Sequence, residues 1–196
     1  MNILHIDSCA LGDHSASRQM TLAAIAALTA ANEQTVIPTV PTVLYRDLAA
    51  SPLSHASGPL LQVISQRWDA DIPMNAELSA EALQSASLLQ EFLDADVVVL
   101  GAPMHNFAVP STLKAWMDRL LEQQPANADA AQRHHAVRVL LVTAGCGTMA
   151  LESADDLMRF HESQLKAAFQ FMGIRQLDIV RDLSDLQQVL ELKHAA

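Results

Sequence analysis

Two cysteines in 196 residues are too few for the disulfide framework of a small secreted domain, and Cys9 and Cys146 lack the paired spacing of a zinc site. Reduced thiols are expected. Cationic residues are also scarce: 12 Lys and Arg against 22 Asp and Glu leave a formal net charge of −10. Nucleic-acid binders gain affinity when clustered cations release counterions, so no nucleic-acid partner is expected. No apolar run approaches the roughly 20 residues that span a bilayer. The longest, around Val97 to Leu100, is interrupted by Asp96 and Pro103. The opening residues, Met1-Asn2-Ile3-Leu4-His5-Ile6-Asp7, lack the cationic start of a secretory signal. Internal repeats and low-complexity segments are absent. The expectation is a soluble, cytoplasmic protein with no membrane partner.

Apolar residues, by contrast, are plentiful. They make up 51% of the chain against 17% charged, enough to offset the entropy of folding and to argue against disorder. The length suits one core, so residues 1–196 are expected to form a single domain.

Asn2 to Asp7 is predicted as a strand, Ser8 to Ser17 as a small polar loop, and the recurrence of Met20, Ala23, Ala24, Ala27 and Leu28 as a helix. Val43-Leu44-Tyr45 predicts a short strand ending at Arg46-Asp47, and Ser51, Pro52, Ser54, Gly58 and Pro59 mark a loop. Leu60 to Trp68 is expected to be helical. Ser79 to Leu93 is expected as a helix with Leu83, Leu88, Leu89, Phe92 and Leu93 on one side. Val97 to Leu100, β-branched and apolar on both faces, belongs in the centre of a covered parallel sheet. A loop to Pro110 leads to a helix with Ser111 as N-cap and Leu113, Trp116, Met117, Leu120 and Leu121 as its apolar face. The Ala-rich stretch near 125–136 reads as a surface excursion. Strand, Gly-bearing loop and helix then recur over Val137 to Val142, Thr143 to Met149 and Asp155 to Phe171, with Gly173 as C-cap. Gln176 to Val180 and Ser184 to Leu192 supply a last strand and helix. The alternation predicts an α/β fold, a doubly wound parallel sheet with helices on both faces. Ligands of such sheets bind outside the carboxyl ends of the strands.

Three loops leave that edge. Ser8 to Ser17 precedes a helix N-terminus, where unpaired N–H groups and Ser hydroxyls suit an anion, although Ser15 or Ser17 could simply cap the helix. The loop has neither the Gly spacing of a dinucleotide fingerprint nor the Gly-Lys-Ser/Thr of a P-loop, so a mononucleotide is the better phosphate ligand. Pro103-Met104-His105-Asn106-Phe107-Ala108-Val109-Pro110 joins apolar and aromatic surface to an amide, groups that can hold a flat heteroaromatic ring and bond its edge. Thr143-Ala144-Gly145-Cys146-Gly147 offers glycines that let the backbone approach a ligand.

Taken together, the loops resemble those of the FMN-dependent NADH-azoreductase and NADH:quinone oxidoreductase family. The first is similar to its Ser-Ser-x-x-x-x-x-Ser-x-Ser, and the second to its Pro-Met-Tyr-Asn-Phe, followed by a Leu-Lys helix start at Leu113-Lys114. Arg46-Asp47-Leu48-Ala49 and Phe171-Met172-Gly173-Ile174 are also similar to the family, and the resemblance covers nearly the whole chain. It implies a flavodoxin-like five-stranded sheet in the order 2-1-3-4-5, FMN as cofactor, and NADH or NADPH as electron donor. It also implies ping-pong electron transfer to a quinone or azo compound, and a homodimer with sites at the interface. Carried over residue by residue, the phosphate positions are Cys9, Ser15, Ala16 and Ser17. The flavin-edge positions are Met104, His105, Asn106 and Phe107, with Ala144, Gly145, Cys146 and Gly147 at the other side of the ring. Cys9 stands where the family has its second Ser, His105 where it has Tyr, and Gly145 and Cys146 where it has Arg and Gly. Because a flavin carries the redox chemistry, no catalytic acid or base is demanded, and no metal.

Two rivals stand beside this reading. One is a hydrolase using Cys146 or Ser8 as nucleophile with one of the histidines. The other is a flavodoxin-like module that has lost flavin and serves as a binding or regulatory partner.

Overall fold

The computed structural model describes residues 1–33, 40–67, 73–123, 134–143 and 154–194. Its elements run β1 (Asn2–Asp7), α1 (Ala16–Glu33), β2 (Thr42–Asp47), α2 (Gly58–Ile64), α3 (Ala76–Leu93), β3 (Val97–Gly101), α4 (Ser111–Leu121), β4 (Arg138–Val142), α5 (Ala154–Phe171), β5 (Gln176–Val180) and α6 (Leu183–His194). The strands pair in parallel in the order β2-β1-β3-β4-β5, the flavodoxin-like arrangement. In register, Leu4 lies between Leu44 and Val98.

Alternation along the strands feeds two cores. Leu4, Ile6, Val98, Leu100, Val139 and Leu141 face α3, α4 and α5, which contribute Phe92, Trp116 and Phe169 among others. Ile3, Val97, Val99, Leu140 and Val142 face α1 and α6 through Ala24, Leu28 and Leu186. Every residue of β3 is buried, as its run of β-branched residues predicts for a strand with neighbours and helices on all sides. Helix α5 ends in a Schellman motif: Gly173 takes φ +85°, its N–H donates to Gln170 O, and the Ile174 N–H donates to Phe169 O.

Several expectations need correction. Leu83 is 71% exposed, and the buried face of α3 is Leu78, Ser85, Leu88 and Phe92. Residues five apart lie about 140° apart around a helix, so Leu83 cannot share a face with Leu88. Asn75 caps α3 by accepting the Leu78 N–H at 2.8 Å, starting it before Ser79. Gly58 and Pro59, expected in a loop, open α2, because Ser57 caps it and Pro is tolerated in a first turn. The helix stops at Ile64, and Trp68 lies outside the described residues. Ser111 is not an N-cap: Pro110 O already accepts the Lys114 N–H at 2.9 Å, which makes Ser111 the first helical residue. His134, at the end of the supposed surface excursion, is 2% exposed and its Nδ1 lies 2.7 Å from Met172 O. Residues 124–133 of that stretch lie outside the described residues.

The sheet order reverses between β1 and β3, and there the packing is tight. A Cβ on Gly101 would stand 3.1 Å from Asp7 Oδ1 and 3.3 Å from Thr21 Cγ2. Neither neighbour can withdraw freely, since Thr21 Oγ1 donates to Asp7 Oδ1 at 2.8 Å. Gly101→Ala is therefore expected to lower stability by about 1 to 3 kcal/mol, measured as a fall in the urea midpoint at unchanged m-value.

Candidate functional site

Loop Ser8 to Ser15, leaving β1, and loop Ala102 to Pro110, leaving β3, meet at the switch point of the sheet. Ser8 Oγ donates to Gly101 O at 2.6 Å and Thr112 Oγ1 to Ser8 O at 3.4 Å, so the two loops are tied to each other and to α4. Ser8 is buried and its hydroxyl committed, which removes it as a nucleophile. Cys9, 3% exposed, places its Sγ 3.5 Å from His105 Nε2 across the two loops.

The first loop closes on the start of α1. Ser15 Oγ accepts the Arg18 N–H at 3.2 Å, the ordinary N-cap bond, and lies 2.9 Å from Ser17 Oγ. Both hydroxyls are buried while Ala16 between them is exposed. The first N–H groups of a helix have no intrahelical acceptor, so those of Ala16 and Ser17 face outward beside two fixed hydroxyls. Capping and anion binding are thus compatible: the cap uses one acceptor lone pair and the bond between the two hydroxyls one of their hydrogens, which leaves the other hydroxyl hydrogen and the first N–H groups as donors.

In the second loop, His105 and Ala108 exchange backbone bonds, His105 N–H to Ala108 O at 2.7 Å and Ala108 N–H to His105 O at 3.0 Å. The two residues between them take left-handed conformations, Asn106 at φ 47° and Phe107 at φ 68°. Asn tolerates that region because its side chain can bond locally, whereas a bulky Phe is strained there. The hairpin puts Asn106 and Phe107 on the surface, Phe107 62% exposed, while Met104 is buried beneath them. Ala144, Gly145, Cys146 and Gly147 lie outside the described residues.

Beside these loops a cleft of about 950 Å³ opens between α4 and α5, with Ser8, Ala10, His105 and Asn106 on one side and Met117 and Leu165 among its apolar walls. Its size suits a cofactor-sized ligand, for which clefts of roughly 300 to 1,000 Å³ are usual. His55 and Gln164 also reach it. His55 was missed in the sequence, although its loop follows β2 and leaves the same edge of the sheet; nothing in the sequence pointed to Gln164.

Charges around the edge are paired. Asp7, 1% exposed, accepts from Thr21 Oγ1 and from Tyr45 OH, with His5 Nε2 at 3.4 Å and Arg18 Nε at 3.8 Å. Burial, and then the Asp7 carboxylate, push the Tyr45 phenol up to about 12. Burial would also raise Asp47, but the Ala50 N–H, the Arg18 guanidinium and the Ala49 N–H outweigh it and hold that carboxyl below its usual range. At the root of the third loop, Glu162 accepts from Thr143 Oγ1 at 3.0 Å and from Arg181 Nε at 2.7 Å. Its burial is likewise outweighed by Arg181 and then Thr143, so it stays ionised. These pairs brace the loop roots without placing a free charge in the cleft.

Residues 1–195 match the flavodoxin-like fold family. The chain is 43% identical over 185 residues to an FMN-dependent NADH:quinone oxidoreductase of Methylocella silvestris, a match covering 92% of this chain and 86% of that protein. It is 41% identical over 187 residues to an FMN-dependent NADH:quinone oxidoreductase 1 of Pseudomonas putida, covering 92% and 85%. Among solved structures it is similar in fold to an FMN-dependent NADH-azoreductase from Bacillus anthracis in complex with FMN, with a TM-score of 0.70 and 21% identity over 100% of this chain and 97% of that one. The sheet order, the paired loops at its switch point and identities near 40% across nearly the whole length agree. The chain belongs to the flavodoxin-like family of FMN-dependent NADH:quinone oxidoreductases.

Proposed function

We propose that this protein reduces quinones with electrons from NADH through FMN, and that the phosphate of the cofactor docks at the start of α1. The observation that carries the reading is the placing of two unlike groups on one edge of the sheet. The hydroxyl-bearing end of α1 lies on one side and the Met104-to-Phe107 hairpin on the other, beside an apolar cleft of about 950 Å³. The donor set fits the group: Ser15 and Ser17 with the N–H groups of Ala16 and Ser17 for a phosphate dianion, and Asn106, which can donate and accept, for a heteroaromatic edge. When bound, FMN would supply the two-electron chemistry that links NADH to a quinone or azo acceptor. The chain would bind and orient the cofactor, and the apolar cleft walls offer a surface for the acceptor. Cys9 turns its thiol toward His105, so its contribution to a phosphate would come from its backbone.

Titrating the apoprotein with FMN, followed by flavin fluorescence quenching, tests this directly. Saturable binding and NADH-dependent reduction of benzoquinone are expected; no binding at high micromolar FMN would refute the reading and favour a module that has lost its flavin.

We also infer a homodimer, with each cleft closed by the partner. Of the apolar helices Leu113 to Leu121 and Leu157 to Phe171, the residues Leu113, Trp116, Met117, Leu120, Leu165 and Phe169 lie in the core and do not argue for it, whereas Phe160 and Phe171 are exposed. Support comes instead from the family and from an open cleft flanked by exposed Phe107. Light scattering of the FMN-loaded protein at several concentrations should give twice the chain mass; a strictly monomeric flavoprotein that still turns over would exclude a shared site.

A further inference from the structure

We propose that His105 delivers a proton to the quinone and that Cys9 is the positioning residue that sets its tautomer, an inference that rests on the function proposed above. Quinone reduction consumes two electrons and two protons. When electrons pass as hydride one proton travels with them, and the second must reach a quinone oxygen from another group. His105 is half-buried, lines the apolar cleft, and has its backbone clamped by the paired bonds with Ala108, so its imidazole is presented at a fixed place.

The contact with Cys9 decides which ring nitrogen carries hydrogen. Cys9 Sγ lies 3.5 Å from His105 Nε2, and Cys9 is free and buried. Sulfur is a poor acceptor and an imidazole sp² nitrogen a strong one, so the favoured bond runs from the thiol S–H to Nε2. A neutral imidazole that accepts at Nε2 carries its proton on Nδ1, the nitrogen left for a molecule in the cleft. The step then balances. The Nδ1–H bond breaks as an O–H bond forms on the quinone. Meanwhile the S–H bond breaks and an Nε2–H bond forms, leaving a thiolate; return of the Nε2 proton to sulfur and uptake of one proton from water at Nδ1 restore the pair. The structure adds what the sequence could not show: the two positions that depart from the family's Ser and Tyr touch each other across 96 residues.

The test uses the full-length, FMN-loaded protein. In two-bond ¹H–¹⁵N spectra, with the His105 signal assigned by its loss in His105→Gln, the wild type should show hydrogen on Nδ1 alone, and Cys9→Ala should shift the ring toward the Nε2–H form. In stopped-flow measurements at saturating FMN, His105→Gln should slow the quinone half-reaction by about 10²-fold, the lower end for a lost general acid. The NADH half-reaction should slow far less, and the solvent isotope effect on the quinone step should fall. His105→Tyr, which restores an O–H donor, should recover most of the loss. A wild-type ring protonated on Nε2, or on both nitrogens, would overturn the proposal, as would equal slowing of both half-reactions in His105→Gln. Failure of the wild type to bind FMN would instead overturn the reading on which the relay rests.

Discussion

Arg119→Ala is expected to cost about 2 to 4 kcal/mol of folding stability, from the cavity left by a large side chain and the loss of its hydrogen bonds. The Glu81 carboxylate left behind is 31% exposed, so solvent relieves much of the loss of its partner. Arg119 lies on α4 and is fully buried. Its guanidinium donates to Ser85 Oγ at 3.1 Å, Ser54 Oγ at 2.6 Å, Ser54 O at 3.0 Å and Glu81 O at 3.3 Å, and pairs with the Glu81 carboxylate. It therefore joins α4 to α3 and to the loop after β2 that carries His55 toward the cleft. Alanine leaves the buried Ser85 hydroxyl without that donor and opens a cavity where a long side chain stood. Arg119→Met, which fills most of the volume, should lose less. Urea denaturation of the three proteins decides the matter, and a loss below about 1 kcal/mol for the alanine variant would show the network to be inert. The pair also has a pH signature. Burial would raise the Glu81 carboxyl, but the Arg119 and Ser54 bonds outweigh it and hold it below its ordinary value of 4.5. A carboxyl lowered in the folded state contributes stability that is fully present above its unfolded pKa and lost as pH falls through the folded one. The gap between wild type and Arg119→Ala should thus be constant near neutrality and shrink below about pH 4.5, as Glu81 takes up its proton.

Riboflavin is expected to bind at least about a hundredfold more weakly than FMN. Bonds to a charged group contribute about 1.5 to 3 kcal/mol each, so even two donors at the start of α1 account for about 3 kcal/mol, or roughly two powers of ten. Ser15→Ala and Ser17→Ala should each weaken FMN by about 0.5 to 1.5 kcal/mol, or more where the hydroxyl meets the phosphate directly, and leave riboflavin nearly unaffected. The riboflavin comparison matters for Ser15, because that hydroxyl also caps α1 through the Arg18 N–H. A lost cap costs about 1 kcal/mol of stability on its own, but a general loosening would weaken both ligands alike. Parallel titrations in low and moderate salt add a further check, since attraction to a phosphate at an exposed helix end is screened. Equal affinities for riboflavin and FMN would place the phosphate elsewhere.

Much of the architecture was legible in the residues alone. The strands Asn2 to Asp7 and Gln176 to Val180 were bounded correctly, and Val97 to Leu100 was placed in the centre of the sheet, because burial on both faces leaves a composition no exposed strand carries. The recurrence of Ala24 and Leu28 marked the face of α1 that meets the sheet, and Gly173 ended α5 because only glycine takes its φ without strain. Loops at the carboxyl ends of the strands followed from the order of elements, and with them the candidate residues on the first two loops.

Tertiary structure decided what depends on neighbours distant along the chain. Leu83 counted with the apolar side of its helix by spacing yet faces solvent, while Ser85 and Arg119, polar in sequence, are buried and hydrogen-bonded to each other. Helix starts at Gly58 and Ala76 were set by the side-chain caps Ser57 and Asn75 rather than by periodicity, and the start at Ser111 by the first turn closing on Pro110 O. Cys9 and His105 looked like separate departures from the family and proved to be one contact. Propensity and hydrophobic period act over a few residues and can be read locally. Which side chains meet is fixed by the register of β1 against β3, a long-range pairing whose energy is shared among the whole sheet and both cores.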